Sequence, residues 1–194
     1  MVSFKNKLTI ITGPMFAGKS TKLVEIYNSY LPEETLVFNH SFDNRYDGEN
    51  NVLATHNGNK LPCIKVCDTQ EIYNKILDHV LKGNLIIRNI IIDECQFFSN
   101  IDTIIEKIFN NLNTIETITC AGLDMDAKGK IFNPSFTKLF TISDNLIILE
   151  SKCYICKGNA PYSICLKENN FSENNVLVGS SEIYQPACKE HLNY

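Results

Sequence analysis

The plainest chemistry in this chain lies near its amino terminus, in Gly13-Pro14-Met15-Phe16-Ala17-Gly18-Lys19-Ser20. These residues fit G-x-x-x-x-G-K-[ST], a phosphate-binding loop. Gly13 and Gly18 let the backbone curl so that several N–H groups face one anion. Lys19 adds a point charge that reaches β- and γ-phosphates, and the Ser20 hydroxyl suits Mg²⁺. A plain glycine turn is the alternative, and the filling of every fixed position argues against it.

A second candidate is Asp93-Glu94, which ends the apolar run Ile90-Ile91-Ile92. Beside a phosphate loop, a carboxylate leaving the carboxyl end of a neighbouring strand holds the Mg²⁺ shell, and Asp93 takes that role. Glu94 points elsewhere and is free to act as a base. It would activate water in an ATPase or take a proton from a substrate hydroxyl in a kinase. The pair does not decide between the two, and without the loop it would read as two solvated acids.

The third candidate is metal chemistry. Cys153-x-x-Cys156 and Cys188-x-x-His191 supply four N/S ligands, which suits tetrahedral Zn²⁺. Four protein ligands leave no open position, so the metal is read as structural. A redox dithiol and simple burial are the alternatives. Cys63, Cys67, Cys95, Cys120 and Cys165 read as small buried hydrophobes on or near strands.

These groups need elements to hold them. Leu8 to Thr12 reads as a buried strand before the loop. Ser20 to Tyr30 reads as a helix after it, with Leu23, Ile26, Tyr27 and Tyr30 at helical spacing. That helix aims its positive dipole end at the phosphates. Further strands are expected at Leu36-Val37-Phe38, Ile64-Lys65-Val66, the run from Ile86 to Ile92, Thr117 to Ala121 and Asn145 to Leu149. Helices are expected over Thr69 to Leu81 and Ile101 to Leu112. Asn39 to Leu61 is polar and reads as a long functional loop. Alternating strands and helices argue for an α/β fold with a mainly parallel sheet and right-handed crossovers. The character changes near Glu150, dividing a core of residues 1–150 from a small unit of residues 151–194.

The chain has 194 residues, is 44% hydrophobic and 21% charged, and carries a net charge of −4. Its isoelectric point of about 5.6 disfavours nucleic acid as a partner. No apolar stretch is long enough for a signal peptide or a membrane span. A cytoplasmic, reducing location is expected, in which the eight cysteines are thiols or metal ligands.

Taken in order, the motifs resemble those of the thymidine kinases with a zinc lasso, the cellular and poxvirus-like type, over roughly Leu8 to His191. The phosphate loop includes that family's Pro14-Met15-Phe16. Asp43-Asn44-Arg45-Tyr46 resembles its D-x-R-Y segment, and Thr55-His56-Asn57-Gly58 follows in place. Asp93-Glu94-Cys95-Gln96-Phe97 resembles its D-E-x-Q-F motif, and Gly122-Leu123-Asp124-Met125-Asp126 its G-L-D-M-D strand end.

The resemblance implies a RecA-like core, with a zinc-anchored lasso closing over the nucleoside. It implies transfer of the ATP γ-phosphate to the thymidine 5′-hydroxyl, with deoxyuridine as a second candidate substrate. Glu94, Lys19 and Arg45 are then catalytic. ATP is held by the phosphate loop, Asp43, Asn44, Arg45 and the Asp93 to Gln96 segment. The nucleoside falls to Met15, Phe97, Leu123, Ala127, Phe132, Ser163, the backbone from Asn175 through Val176, Leu177 and Val178 to Gly179, and Tyr184. Ala127 is a departure, because a bulky aromatic usually stands there; Phe132 or Tyr162 would have to fill in. Feedback by dTTP and a homotetramer are also implied. The runner-up is a RecA-class ATPase acting on DNA, and the third reading is a non-catalytic zinc-stabilised module. The acidic charge and missing basic-aromatic patch oppose the first. The intact Lys19, Ser20, Asp93 and Glu94 oppose the second.

Overall fold

The structure, a computed structural model, describes residues 6–43, 52–54, 58, 60–82, 86–166 and 183–192. In chain order the core elements are β1 (Lys7–Thr12), α1 (Lys19–Tyr27), β2 (Thr35–His40), β3 (Val52–Ala54), β4 (Lys60–Pro62), β5 (Ile64–Val66), α2 (Thr69–Lys82), β6 (Asn89–Ile92), α3 (Ile101–Asn111), β7 (Thr117–Ala121), α4 (Pro134–Ile142) and β8 (Asn145–Ile148). One six-stranded sheet runs β5-β2-β6-β7-β1-β8, with every neighbouring pair parallel. All residues of β2 and β6 are buried, which is why apolar residues run on there instead of alternating with polar ones.

Alternation along the strands sorts side chains to two faces. Leu8, Ile10, Leu36, Phe38, Ile90 and Ile92 pack against α2, α3 and α4. Ile11, Val37, Ile91 and Ala121 pack against Leu23 and Val24 of α1 and against Leu53 and Leu61 of the β3–β4 hairpin. Register pairs Ile10 with Cys120 and Ile92 with Cys120 across the two sides of β7. The carboxyl ends of β1, β6 and β7 therefore share one edge of the sheet, where α/β folds place ligands.

Several boundaries differ from the sequence reading. The polar stretch from Asn39 is not all loop: Asn39 and His40 belong to β2 and are buried, and a hairpin interrupts the rest. The strand expected from Ile86 begins only at Asn89. α1 ends at Tyr27, short of Tyr30, where the Ser29 N–H and hydroxyl both turn back to the Ile26 carbonyl. α4 was not expected at all. The Asn133 side chain caps it by accepting from the Ser135 N–H (2.9 Å) and Phe136 N–H (3.3 Å), with Pro134 leading the first turn.

Past Glu150 the chain leaves the sheet. β9 (Ser151–Lys152) pairs antiparallel with β10 (Asn159–Ala160), and β11 (Tyr162–Cys165) with β12 (Tyr184–Ala187). Among the described residues no helix is long and apolar enough to cross a membrane.

Candidate active site

The phosphate loop leaves β1 through Gly13, whose φ is 133°; a Cβ there would lie 2.2 Å from the Leu149 carbonyl oxygen, so only glycine fits. Gly18 has φ 88° and open space around it, so its requirement is conformational. Lys19 Nζ donates to the Gly13 carbonyl at 2.9 Å and the Pro14 carbonyl at 2.7 Å. Ser20 Oγ donates to Asp93 Oδ2 at 3.0 Å. The two residues read as Mg²⁺ ligands thus already touch. They do so across an intervening strand, because β7 separates β6 from β1; the neighbouring-strand expectation is corrected in that respect.

Asp93 is buried, and its Oδ1 accepts the Glu94 N–H at 2.8 Å. Glu94 sits in the left-handed region, with φ 57° and ψ 39°, and opens the tight turn Cys95–Phe97. That sharp turn sends two consecutive carboxylates to different places. Gln96 Nε2 donates to Glu94 Oε2, while Gln96 Oε1 accepts the Leu123 N–H at 3.0 Å. A Cβ on Gly122 would lie 2.8 Å from Gln96 Oε1, so glycine leaves room for this carboxamide. Asn133 Nδ2 in turn donates to the carbonyls of Gln96 (3.2 Å) and Phe98 (2.9 Å).

Aromatic rings line up beside this turn. Phe97 meets Phe132 edge-to-face at 5.6 Å and Phe42 at 5.9 Å; His40 lies 4.6 Å from both Phe42 and Phe98. Ala127 is half-buried in the turn between Asp124 and Phe132, which the Asp126 carboxylate braces by accepting the Lys128 and Lys130 N–H groups. The phosphate loop also touches β11, because the Met15 N–H donates to buried Ser163 Oγ at 2.8 Å. Tyr184 pairs with Cys165 in the β11–β12 ladder, and burial pushes its phenol up.

A buried polar group lies at the end of β2. Asn39 is fully buried, and its Nδ2 donates to Asp43 Oδ2 at 3.0 Å. A carboxylate only accepts, so the amide nitrogen must face Asp43 and the Asn39 oxygen must face away. Among the described residues that oxygen meets no hydrogen-bond donor, which costs about 1–3 kcal/mol for a buried acceptor. Lys65 Nζ donates to the Asp43 carbonyl. Burial pushes the nearby Cys63 thiol up to about 11, with Asp93 and Asp43 adding to the shift and Lys65 opposing it.

The second centre joins the turn after β9 to the turn after β12. Cys153, Cys156, Cys188 and His191 bring their ligand atoms within 4.8 Å of one another. Cys156 Sγ lies 3.8 Å from Cys188 Sγ, and Cys188 Sγ lies 3.1 Å from His191 Nδ1. Tetrahedral Zn–S bonds of about 2.3 Å separate two sulfurs by about 3.8 Å. Burial raises the Cys153 thiol, but the N–H groups of Cys156, Cys188 and Ile155 outweigh it and bring it down to about 6. This donor set fits a closed structural zinc.

A family model described as thymidine kinase matches residues 6–192, nearly the whole chain. The chain belongs to the thymidine kinase family. The α/β core, the cysteine–histidine cluster and the family match agree with the resemblance read from the motifs.

Within this thymidine kinase the structure brings Ser20, Asp93 and Glu94 to one edge, with Gln96 and Leu123 behind them and Phe97 and Phe132 alongside. Asn44, Arg45, Thr55 to Asn57 and Asn175 to Gly179 lie outside the described residues. Sequence reasoning passed over Asn133, although Asn-Pro before Phe136, Leu139 and Phe140 is a helix-start signal. It also passed over Asn39 and His40, for which it had no signal: a polar residue at the end of a buried strand looks like the start of a loop.

Proposed function

We propose that this thymidine kinase transfers the γ-phosphoryl group of ATP to the 5′-hydroxyl of thymidine, supplying dTMP for salvage. Family membership carries the thymidine phosphorylation. The observation that supports ATP and Mg²⁺ as partners is the contact between Ser20 and Asp93 at the mouth of the phosphate loop, with Glu94 next in the chain.

Ser20 and Asp93 would hold Mg²⁺, which when bound neutralises phosphate charge. The loop N–H groups cradle the phosphates, and Lys19 swings from the Gly13 and Pro14 carbonyls to the transferring group. The 5′-oxygen attacks the γ-phosphorus, its proton passes to Glu94, and the bond to ADP breaks. Gln96 steadies Glu94 from behind. Phe97, Phe132, Leu123 and Met15 form apolar walls for an uncharged base, and residues 151–194 act as a zinc-anchored lid that excludes water. Deoxyuridine lacks only one methyl, so discrimination against it is modest, about 10–200-fold at most. A cytoplasmic homotetramer inhibited by dTTP completes the reading, on the resemblance alone.

The test is a panel of nucleosides with ATP and Mg²⁺. Thymidine should be the best acceptor, and Lys19→Ala should be inactive yet folded. ADP release that responds to single-stranded DNA and not to nucleosides would replace this reading with a DNA-dependent ATPase.

A further inference from the structure

We propose that Asn39 is a positioning residue for the nucleotide-bound cation: its side-chain oxygen accepts a hydrogen bond from a water in the shell of the divalent ion that Ser20 and Asp93 hold. The inference rests on the Mg²⁺-ATP reading above and adds a residue that neither the motifs nor the family match identifies.

Four observations carry it. First, Asn39 is completely buried and its Oδ1 meets no donor among the described residues, while its Nδ2 is committed to Asp43. The carboxamide therefore cannot turn over to relieve the vacancy without facing oxygen to carboxylate. Second, Asn39 stands beside Asp93. Phe38 pairs with Ile92, the Asp93 N–H donates to the Phe38 carbonyl at 2.9 Å, and neighbouring strands lie about 4.8 Å apart. Third, the two side chains share a face. Val37 and Ile91, each two residues earlier, pack in the same cluster with α1, and alternation returns Asn39 and Asp93 to that side. Fourth, the aromatic wall lies on the other side: His40, the next residue, contacts Phe97 and Phe98. Asn39 thus faces the phosphate-loop helix and not the rings suited to a base.

The chemistry matches the vacancy. Water bound to a divalent cation has its lone pair committed to the metal and acts as a donor. A buried carboxamide oxygen next to a first-sphere carboxylate is a suitable acceptor. Among the described residues, two donors on this side are turned to other acceptors: Ser20 Oγ to Asp93, and Lys65 Nζ, on the residue paired with Asn39, to the Asp43 carbonyl. A hydroxyl of the nucleoside is the rival donor, and the test separates it.

The experiment uses the full-length, zinc-loaded chain. Mn²⁺ binding in the presence of saturating ATP is followed by electron paramagnetic resonance, and thymidine binding by calorimetry. Asn39→Leu removes the acceptor at similar volume. It should weaken Mn²⁺ binding roughly 10–100-fold, as loss of outer-shell partners does, and leave thymidine affinity within about twofold. Asn39→Asp keeps an oxygen in place and can share one proton with Asp43, so its Mn²⁺ affinity should stay within about threefold of wild type. This variant also covers the case in which Asn39→Leu fails to fold. Unchanged Mn²⁺ affinity in Asn39→Leu overturns the inference, as does a loss confined to thymidine. An Asn39→Asp loss as large as that of Asn39→Leu would place the role in the donor to Asp43 and overturn it too. Wild-type protein that binds no Mn²⁺ with ATP would instead refute the Mg²⁺-ATP reading itself.

Discussion

At the residue scale, position and backbone conformation send two adjacent acids to different partners. Asp93 is tied down by Ser20 and by the Glu94 N–H, whereas Glu94 is turned out by its left-handed backbone and held by Gln96. If Glu94 is the base, Glu94→Gln keeps the shape and removes the proton acceptor. The rate of single-turnover phosphoryl transfer should then fall roughly 10²–10⁴-fold, with both substrate affinities little changed. A wild-type single-turnover rate would move the base elsewhere, with Asp43 next in line. His40 supplies a second residue-scale test. Burial lowers its pKa below 6.5, opposed by the Cys67 carbonyl and Glu94 and aided by Lys65. The unfolded chain therefore takes up this proton first as pH falls. The contribution of neutral His40 to stability is full above about pH 6.5 and is lost as pH drops toward the lower folded value. Between pH 7.5 and 5.5 the melting temperature of wild type should fall more than that of His40→Gln. Parallel pH curves for the two proteins would show that His40 is not the titrating group.

At the element scale, the strands and helices most easily read were those whose hydropathy had no competition. Thr117 to Ala121 and the helix starting at Thr69 fall where their apolar periodicity puts them. At its carboxyl end β2 runs two residues past the Leu36-Val37-Phe38 expected, because Asn39 and His40 are polar and their burial depends on partners far off in the chain that no local pattern shows. The β3–β4 hairpin was hidden by the polar residues around Leu53 and Leu61, both of which are buried. The phosphate loop and the Asp93-Glu94 pair were legible because their chemistry is local. The Glu94–Gln96–Leu123 relay was not, since it joins two segments only in space. α4 shows the consequence. Its cap Asn133 also clamps the carbonyls of Gln96 and Phe98, so one side chain both starts a helix and fixes the turn that follows Glu94. Asn133→Ala should lose about 1 kcal/mol from the cap, with more from the two lost donors. Asn133→Asp restores the cap acceptor but no donor. Its melting temperature should recover more than its kcat does; recovery of both together would argue that Asn133 serves the helix alone.

At the scale of the whole molecule, the cysteine–histidine cluster joins two segments far apart in the chain. Cys153 and Cys156 precede β11, Cys188 and His191 follow β12, and residues 167–182 connect those two strands along the chain. One ion held there would tie together the two feet of the proposed lid, and β11 meets the phosphate loop through Ser163 and the Met15 N–H. The expected content is about one Zn²⁺ per chain, and protein purified without chelator should show it by metal analysis. Cys153→Ser should loosen the lid while the parallel sheet, which shares no ligand with the cluster, stays folded. Thymidine affinity should then fall several-fold more than ATP affinity. The Ser163 contact predicts that ATP binding is not wholly spared. Replacing Zn²⁺ with Co²⁺ should preserve kcat, because four protein ligands leave no position at which the metal could take part in transfer. Equal losses of thymidine and ATP affinity in Cys153→Ser would mean that the cluster supports the core and not a lid. A kcat that changes with the identity of the metal would place the ion in the reaction and end the structural reading of the site.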